Sequence, residues 1–146
     1  MRNTLKHFTA SVLLFGLLLT PTLRSSFASS PVPEAVTLTA NGKGTIKVGR
    51  ETFQVYSVVV KLEDDGSAQL TLVSEITFFI SGRWSQTTAS PKTFALQITG
   101  TMTGGGAQGT GTIIMRADGT SLDRLSVQGS TKTSTRKVSI DFVANQ

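Results

Sequence analysis

Apolar residues recur at every second position along most of the chain from Val36 onward, and this alternation constrains the fold more than any other feature. Between the alternating segments stand Gly, Asp and Asn, with Asp65-Gly66 and Asp118-Gly119 as the clearest turn pairs. A period of two indicates a β-strand with one buried face, and Asp-Gly favours the tight turn of a hairpin. The sequence therefore predicts eight or nine strands and no amphipathic helix in this region.

The loops between the predicted strands are short, which favours antiparallel pairing of each strand with the next. Only one face of each strand is apolar, so the sheet must either close on itself or pack against a second sheet. We predict an all-β antiparallel meander that forms an up-and-down barrel or a barrel-like sheet, and a two-sheet β-sandwich is the alternative. A barrel of the outer membrane would need two aromatic girdles, and the seven aromatic residues after Ser29 are too few for both.

The alternation also predicts which side chains form the core. Residues two positions apart point to the same face of a strand, so Thr71, Gln97 and Asp141 should point outward. The predicted inward set is Val58, Val60, Leu62, Leu70, Leu72, Ile76, Phe78, Ile80, Phe94, Leu96, Ile98, Ile113, Met115, Val127, Val138, Ile140 and Phe142.

The N-terminal segment has the three parts of a secretory signal peptide. Arg2 and Lys6 form a positive region, residues 11–19 form an apolar run, and Ser26-Phe27-Ala28 resembles a cleavage site. The apolar run is shorter than the roughly 20 residues that span a bilayer. The sequence thus predicts export to the periplasm or the extracellular space, with no transmembrane segment left after the signal is removed.

This interpretation divides the chain into three parts. Residues 1–28 are the predicted signal peptide, residues 29–34 a short flexible leader with two prolines, and residues 35–146 a single all-β domain. A domain of this length can bury a sufficient core without disulfides.

Residue types that the predicted mature chain lacks exclude several chemistries. The only histidine is His7, inside the predicted signal, and the chain has no cysteine. This excludes His/Cys metal sites, thiol nucleophiles, Ser-His-Asp triads and disulfides. Nine acidic residues remain, but no pair of them has the setting of a catalytic acid and base. We expect neither enzymatic activity nor a cofactor nor a bound metal.

The high isoelectric point of about 10.0 is partly due to the predicted signal. Without Arg2, Lys6 and Arg24 the chain keeps 11 basic and 9 acidic residues, a formal net charge of +2 instead of +5. The one local basic cluster, Lys132 with Arg136-Lys137, has no aromatic residue for base stacking between its members. We therefore expect no nucleic-acid partner.

Glycine clusters are present at Gly42-Lys43-Gly44 and at Gly104 to Gly106. A phosphate cradle needs a helix after the glycines, and none is predicted, so turns and bulges are the better interpretation. The pentapeptides 42–46 and 109–113 resemble each other, which fits either a duplicated unit or chance in a Gly/Thr-rich sequence.

Three residues are candidates for ligand binding. Trp84, the only tryptophan, is in phase with Phe78 and Ile80, so it either plugs the core or forms a stacking platform at a barrel mouth. Arg83 could then donate hydrogen bonds to a polar or anionic ligand, but only if a bulge at Gly82 turned both side chains to one face. Tyr56 is an amphipathic ring predicted on the same face as Val58.

Two functions remain open from the sequence. The first is a non-enzymatic binding module for a small apolar or glycan-like ligand, with Trp84, Arg83 and Tyr56 at its mouth. The alternative is a structural or protein-interaction component of the cell envelope. A pocket-like cavity that reaches Trp84 would favour the first function, and a tightly filled interior with an exposed edge strand would favour the second.

Overall fold

The structure, a computed structural model, describes residues 34–102 and 105–146. The predicted signal peptide (1–28), residues 29–33 of the predicted leader and Gly104 lie outside the described residues.

The described residues form β-strands joined by turns and loops, and they contain no helix. The strands are β1 (Val36–Val48), β2 (Glu51–Leu62), β3 (Ser67–Val73), β4 (Thr77–Gln86), β5 (Thr93–Ile98), β6 (Thr101–Met102), β7 (Gly105–Met115), β8 (Leu122–Thr131) and β9 (Lys137–Ala144). The short strand β6 pairs with β7 alone.

The other eight strands close into an up-and-down barrel. Each of them pairs antiparallel with the next, β5 pairs directly with β7, and β9 returns to pair with β1, where Ile46 lies opposite Ile140. A closed barrel satisfies the backbone groups that an open sheet would expose at its edges. The predicted meander barrel is confirmed, and the barrel is the form adopted rather than the sandwich.

Apolar side chains fill the barrel interior, as the alternation predicts. Nearly all members of the predicted inward set are buried, together with Leu38, Ile46, Val55, Leu122 and Leu125. The prediction is wrong for Ile76, which is 45% exposed, and Met115 is only half-buried. Ile76 lies in the turn before β4, where strand alternation no longer applies.

A β-bulge interrupts the pairing of β1 with β2. Asn41 pairs with Ser57 and Gly44 pairs with Val55, so two residues of β1 lie opposite the single residue Tyr56. The turn or bulge predicted for the Gly42-Lys43-Gly44 cluster is therefore a bulge at Gly42 and Lys43, within one long strand. A bulge of this kind changes the facing of the side chains around it.

The bulge corrects the prediction for Tyr56. Val55 and Val58 are both buried although they are three positions apart, so β2 changes phase between them. The Tyr56 side chain lies in this interval and is 55% exposed on the outside of the barrel. It does not share the inward face of Val58.

Glycines let β1 approach β9 closely at the same place. A Cβ atom at Gly42 would lie 2.2 Å from the carbonyl oxygen of Val143, and one at Gly44 would lie 2.5 Å from that of Asp141. These distances are shorter than any real Cβ contact, so the positions require residues without a side chain. Gly42 belongs to the bulge, whereas Gly44 lies in regular strand.

The barrel has two ends with different turns. One end, here called the acidic end, carries the β2–β3 turn (63–66), the β4–β5 loop (87–92) and the β7–β8 turn (116–121). The other end carries the β1–β2 turn (49–50), the β3–β4 turn (74–76) and the β8–β9 turn (132–136). Consecutive antiparallel strands place alternate turns at the same end, which sets the position of every candidate residue.

Candidate functional site

Trp84 lies inside the barrel near the acidic end. Its side chain is 7% exposed and packs edge-to-face on the ring of Phe94, with 5.4 Å between ring centroids. The indole Nε1–H donates a hydrogen bond of 2.8 Å to the carbonyl oxygen of Glu63 in the β2–β3 turn. Because a buried indole N–H needs such an acceptor, this contact fixes the ring in the core.

Arg83 points to the opposite side of the sheet from Trp84. The register across Gly82 is regular on both sides, with Ala68 opposite it on β3 and Ile98 opposite it on β5. There is thus no bulge at Gly82 to bring Arg83 and Trp84 to one face. The exposed guanidinium of Arg83 instead donates a 3.0 Å hydrogen bond from Nη2 to the carbonyl oxygen of Asp65.

The β2–β3 turn that receives these two bonds is held by Asp65. The Asp65 carboxylate accepts hydrogen bonds from the hydroxyl and the backbone N–H of Ser67, the latter at 2.7 Å, and these bonds lower its pKa below the ordinary value. The positive charge of Arg83 acts in the same direction. The stabilisation that follows from the lowered pKa is present above the ordinary aspartate pKa and is lost as the pH falls through the lowered value.

This turn allows a direct test by titration. In Ser67→Ala the hydroxyl donor is absent, so the pKa of Asp65 should rise toward its ordinary value in an NMR titration of the carboxyl carbons. Asp118 is the internal control, because its pKa is lowered by its own hydrogen bonds with Ser121 and Thr120 and should not move. An unchanged midpoint for Asp65 in the variant would contradict the assigned cause.

The structure therefore does not gather the three predicted ligand-binding residues into one site. Trp84 faces the core and Arg83 faces the solvent above the β2–β3 turn. Tyr56 lies on the outer wall, near the middle of β2. A surface depression of about 420 Å³ is lined by Arg83 and Trp84 together with Gln97 and Thr110, but Tyr56 does not reach it. A ligand-binding role for the three residues remains a prediction.

Four large apolar side chains are exposed on the outer wall of β2, β3 and β4 and in the turn between β3 and β4. We call this group the apolar patch; its members are Tyr56, Val73, Ile76 and Phe79. Phe79 is 61% exposed, the largest value among the exposed apolar residues described.

The strand register places Tyr56, Val73 and Phe79 near one another on the outer wall, and Ile76 follows Val73 by three residues in the adjoining turn. Val73 on β3 pairs with Thr77 on β4, two positions from Phe79, so Val73 and Phe79 are diagonal neighbours on one face. Val73 also pairs with Ser57, which follows Tyr56 on β2. Phe79 borders a shallow groove of about 160 Å³ whose polar lining includes Gln69, Thr71 and Ser81.

Sequence reasoning missed the apolar patch for two reasons. Tyr56 and Ile76 were assigned to the interior by alternation, and a bulge and a turn reverse those assignments. Phe79 did carry a signal: it follows Phe78 directly in an alternating strand, so one of the two rings must point outward.

The described ranges contain no group of three or more His, Cys, Asp or Glu side chains that could hold a metal ion. No helix in that part of the chain is long and apolar enough to cross a membrane. Comparison with protein-family models, with curated proteins and with solved structures finds no match. The candidate site is therefore the apolar patch, defined by geometry alone.

Proposed function

We propose that this protein is an exported, non-enzymatic interaction module that attaches to a component of the cell envelope through its apolar patch. The observation that carries the proposal is the exposed group of apolar residues around Phe79 on the outer wall of the barrel. Contiguous apolar groups on a soluble surface mark sites of interaction, since exposing them to water is unfavourable. The aromatic members, Tyr56 and Phe79, are of the type enriched in interfaces.

The arrangement of the interior gives less support to a small ligand held at a barrel mouth. The residue expected to stack on such a ligand, Trp84, is packed on Phe94 and bonded to Glu63 within the core. The exposed residues that could contact a partner lie on the outer wall instead. Within the described residues, the eight paired strands of the barrel leave no edge strand free, so an interaction component would have to act through this outer wall.

The proposal predicts where the protein is found in cells that export it. In Ile76→Ser/Phe79→Ser the apolar contact is weakened, so the protein should shift from the envelope fraction to the soluble fraction in immunoblots of fractionated cells. Both side chains are exposed, so each change should alter the free energy of unfolding by less than about 0.5 kcal/mol.

Val143→Ser is the matched control for this experiment. Val143 is also an exposed apolar residue, but it lies on β9, outside the apolar patch. Its replacement should leave the distribution between fractions unchanged. Circular dichroism must show that the wild type and the double variant are both folded. Equal amounts of the two in the envelope fraction would then refute the proposed function.

A further inference from the structure

We propose that the envelope component is an anionic lipid surface, which the barrel binds with the end opposite Trp84. This inference rests on the proposed function and names the partner of the same apolar patch. It combines two observations: exposed apolar side chains at and near the β3–β4 turn, and a concentration of cations on the neighbouring turns of the same end.

The cations come from two turns and the strands that flank them. We call this group the basic rim; its members are Lys47, Arg50, Lys132, Arg136 and Lys137, all of them exposed. The acidic residues at this end are Glu51 and Glu75, so five positive charges stand against two negative ones, a formal net charge of +3.

The opposite end has the reverse character. Its turns carry Glu63, Asp64, Asp65 and Asp118 against Lys92 and Arg116, a formal net charge of −2. The only ion pair found among the described residues also lies there, between Arg116 and Asp123 at 3.7 Å. The basic rim is thus not neutralised by ion pairs within the described chain, and the barrel has a positive end and an acidic end.

Local contacts join the basic rim into one surface. The backbone N–H of Gly49 donates to the carbonyl oxygen of Lys137 at 2.8 Å, which ties the β1–β2 turn to β9. A Cβ at Gly49 would lie 3.3 Å from Cδ of Arg136, so the Arg136 side chain lies over that turn. Across the same end, Nζ of Lys132 donates to the carbonyl oxygen of Thr99.

The apolar patch adjoins the basic rim. Ile76 lies in the β3–β4 turn at this end, and the sheet order β4-β3-β2-β1-β9-β8 places the strands of the apolar patch next to those of the basic rim. A membrane surface can meet both at once: Ile76 and Phe79 enter the region between headgroups and acyl chains while the cations face anionic headgroups. Two such signals together give stable attachment where one alone is weak.

A nucleic acid would use these residues less well. The basic rim contains no aromatic ring among its cations on which a base could stack. The side chains of Ile76 and Phe79 have neither a charge nor a hydrogen-bond donor for a phosphate backbone, whereas a lipid surface would bury them. The combination of apolar and basic residues at one end therefore favours a bilayer over a polymeric anion.

Vesicle sedimentation tests this directly. The protein, expressed from the full chain and purified, is mixed with vesicles of phosphatidylcholine alone or of equal parts phosphatidylcholine and phosphatidylglycerol. Binding should be confined to the anionic vesicles and should weaken as the sodium chloride concentration is raised, because salt screens the attraction between exposed charges and headgroups.

Variants separate the two contributions. Arg50→Glu/Lys137→Glu should lower the affinity by at least about 25-fold, since each cation near an anionic surface contributes about fivefold. Ile76→Ser/Phe79→Ser should lower it by about tenfold through the lost apolar burial. The matched controls are Lys92→Glu/Arg124→Glu, the same charge change at the acidic end, and Val143→Ser. Both controls should bind within about threefold of the wild type. The charge control keeps its affinity because charges far from the surface are screened, and Val143→Ser keeps it because Val143 lies outside the apolar patch.

Several results would overturn the inference. These are absence of binding to anionic vesicles, equal binding to neutral vesicles, or equal losses in the charge variants of the two ends. Salt-sensitive binding to duplex DNA that is unaffected by Ile76→Ser/Phe79→Ser would assign the basic rim to a polymeric anion instead. Ile76→Ser/Phe79→Ser could shift out of the envelope fraction of cells while the wild type fails to bind vesicles of either composition. In that case the proposed function stands and its lipid partner is refuted.

Discussion

Replacing Phe78 with alanine should lower the free energy of unfolding by about 3–5 kcal/mol. The Phe78 side chain is 2% exposed and packs edge-to-face on Phe53, with 5.2 Å between ring centroids. Its removal leaves a cavity in the interior in addition to the lost burial. The chain has no disulfide to compensate, and the loss is a large share of the roughly 5–15 kcal/mol that stabilises a domain of this kind.

Phe79→Ala is the matched control, because it removes the same ring one position along the same strand. Phe79 points to solvent, so this change should cost less than about 1 kcal/mol. Chemical denaturation followed by circular dichroism and by Trp84 fluorescence measures both variants. Similar losses in the two variants would mean that β4 does not alternate between core and surface.

The second large effect is expected at Trp84. Trp84→Ala should lower the free energy of unfolding by about 3–5 kcal/mol, since it removes the ring packed on Phe94 and the donor to the Glu63 carbonyl. Trp84→Phe keeps much of the volume but not the N–H, so it should cost less than the alanine variant. Circular dichroism is the required readout, because the variants contain no tryptophan.

Arg83→Ala is the neighbouring control for Trp84. Its guanidinium is exposed and bonds only a turn carbonyl in this structure, so its loss should cost less than about 1 kcal/mol. A small effect of Trp84→Ala, comparable with that of Arg83→Ala, would show that the tryptophan ring is not part of the core. It would also restore the ring as a candidate for ligand stacking.

The fold was accessible from the sequence because the barrel depends on local rules. Period-two alternation set the facing of Phe78, Ile80 and Leu96, and short loops required sequential pairing. The barrel was preferred over the sandwich on the ground that closure removes edges, and the pairing of β9 with β1 agrees with that reasoning.

The candidate site was not accessible in the same way. The outward position of Tyr56 depends on a bulge that only the register of β1 against β2 reveals. Val73 and Phe79 become neighbours only when β3 and β4 are aligned. To predict that Ile76 is exposed, one would have to know the first residue of β4 to within one position. Strand boundaries are less certain from a sequence than strand interiors.

The basic rim could be predicted from the sequence in part, less directly than the fold but more directly than the apolar patch. Its members are up to ninety positions apart, from Lys47 to Lys137, yet a meander places every second turn at the same end. The predicted topology therefore contained the information that residues 49–50, 74–76 and 132–136 share an end. Grouping the charges of alternate turns would have revealed it.

The closure of the barrel has a consequence for the time course of folding. The β1–β9 ladder joins residues as distant as Gly42 and Ala144, so the pairing that closes the barrel joins the first described strand to the last. Non-local pairing of this kind makes folding slow compared with that of helical domains. Until β9 is available, β1 keeps an open edge and the ring cannot form. An incomplete chain of this topology therefore leaves the inward apolar face of its sheet open to water, and only the pairing of β9 with β1 encloses it.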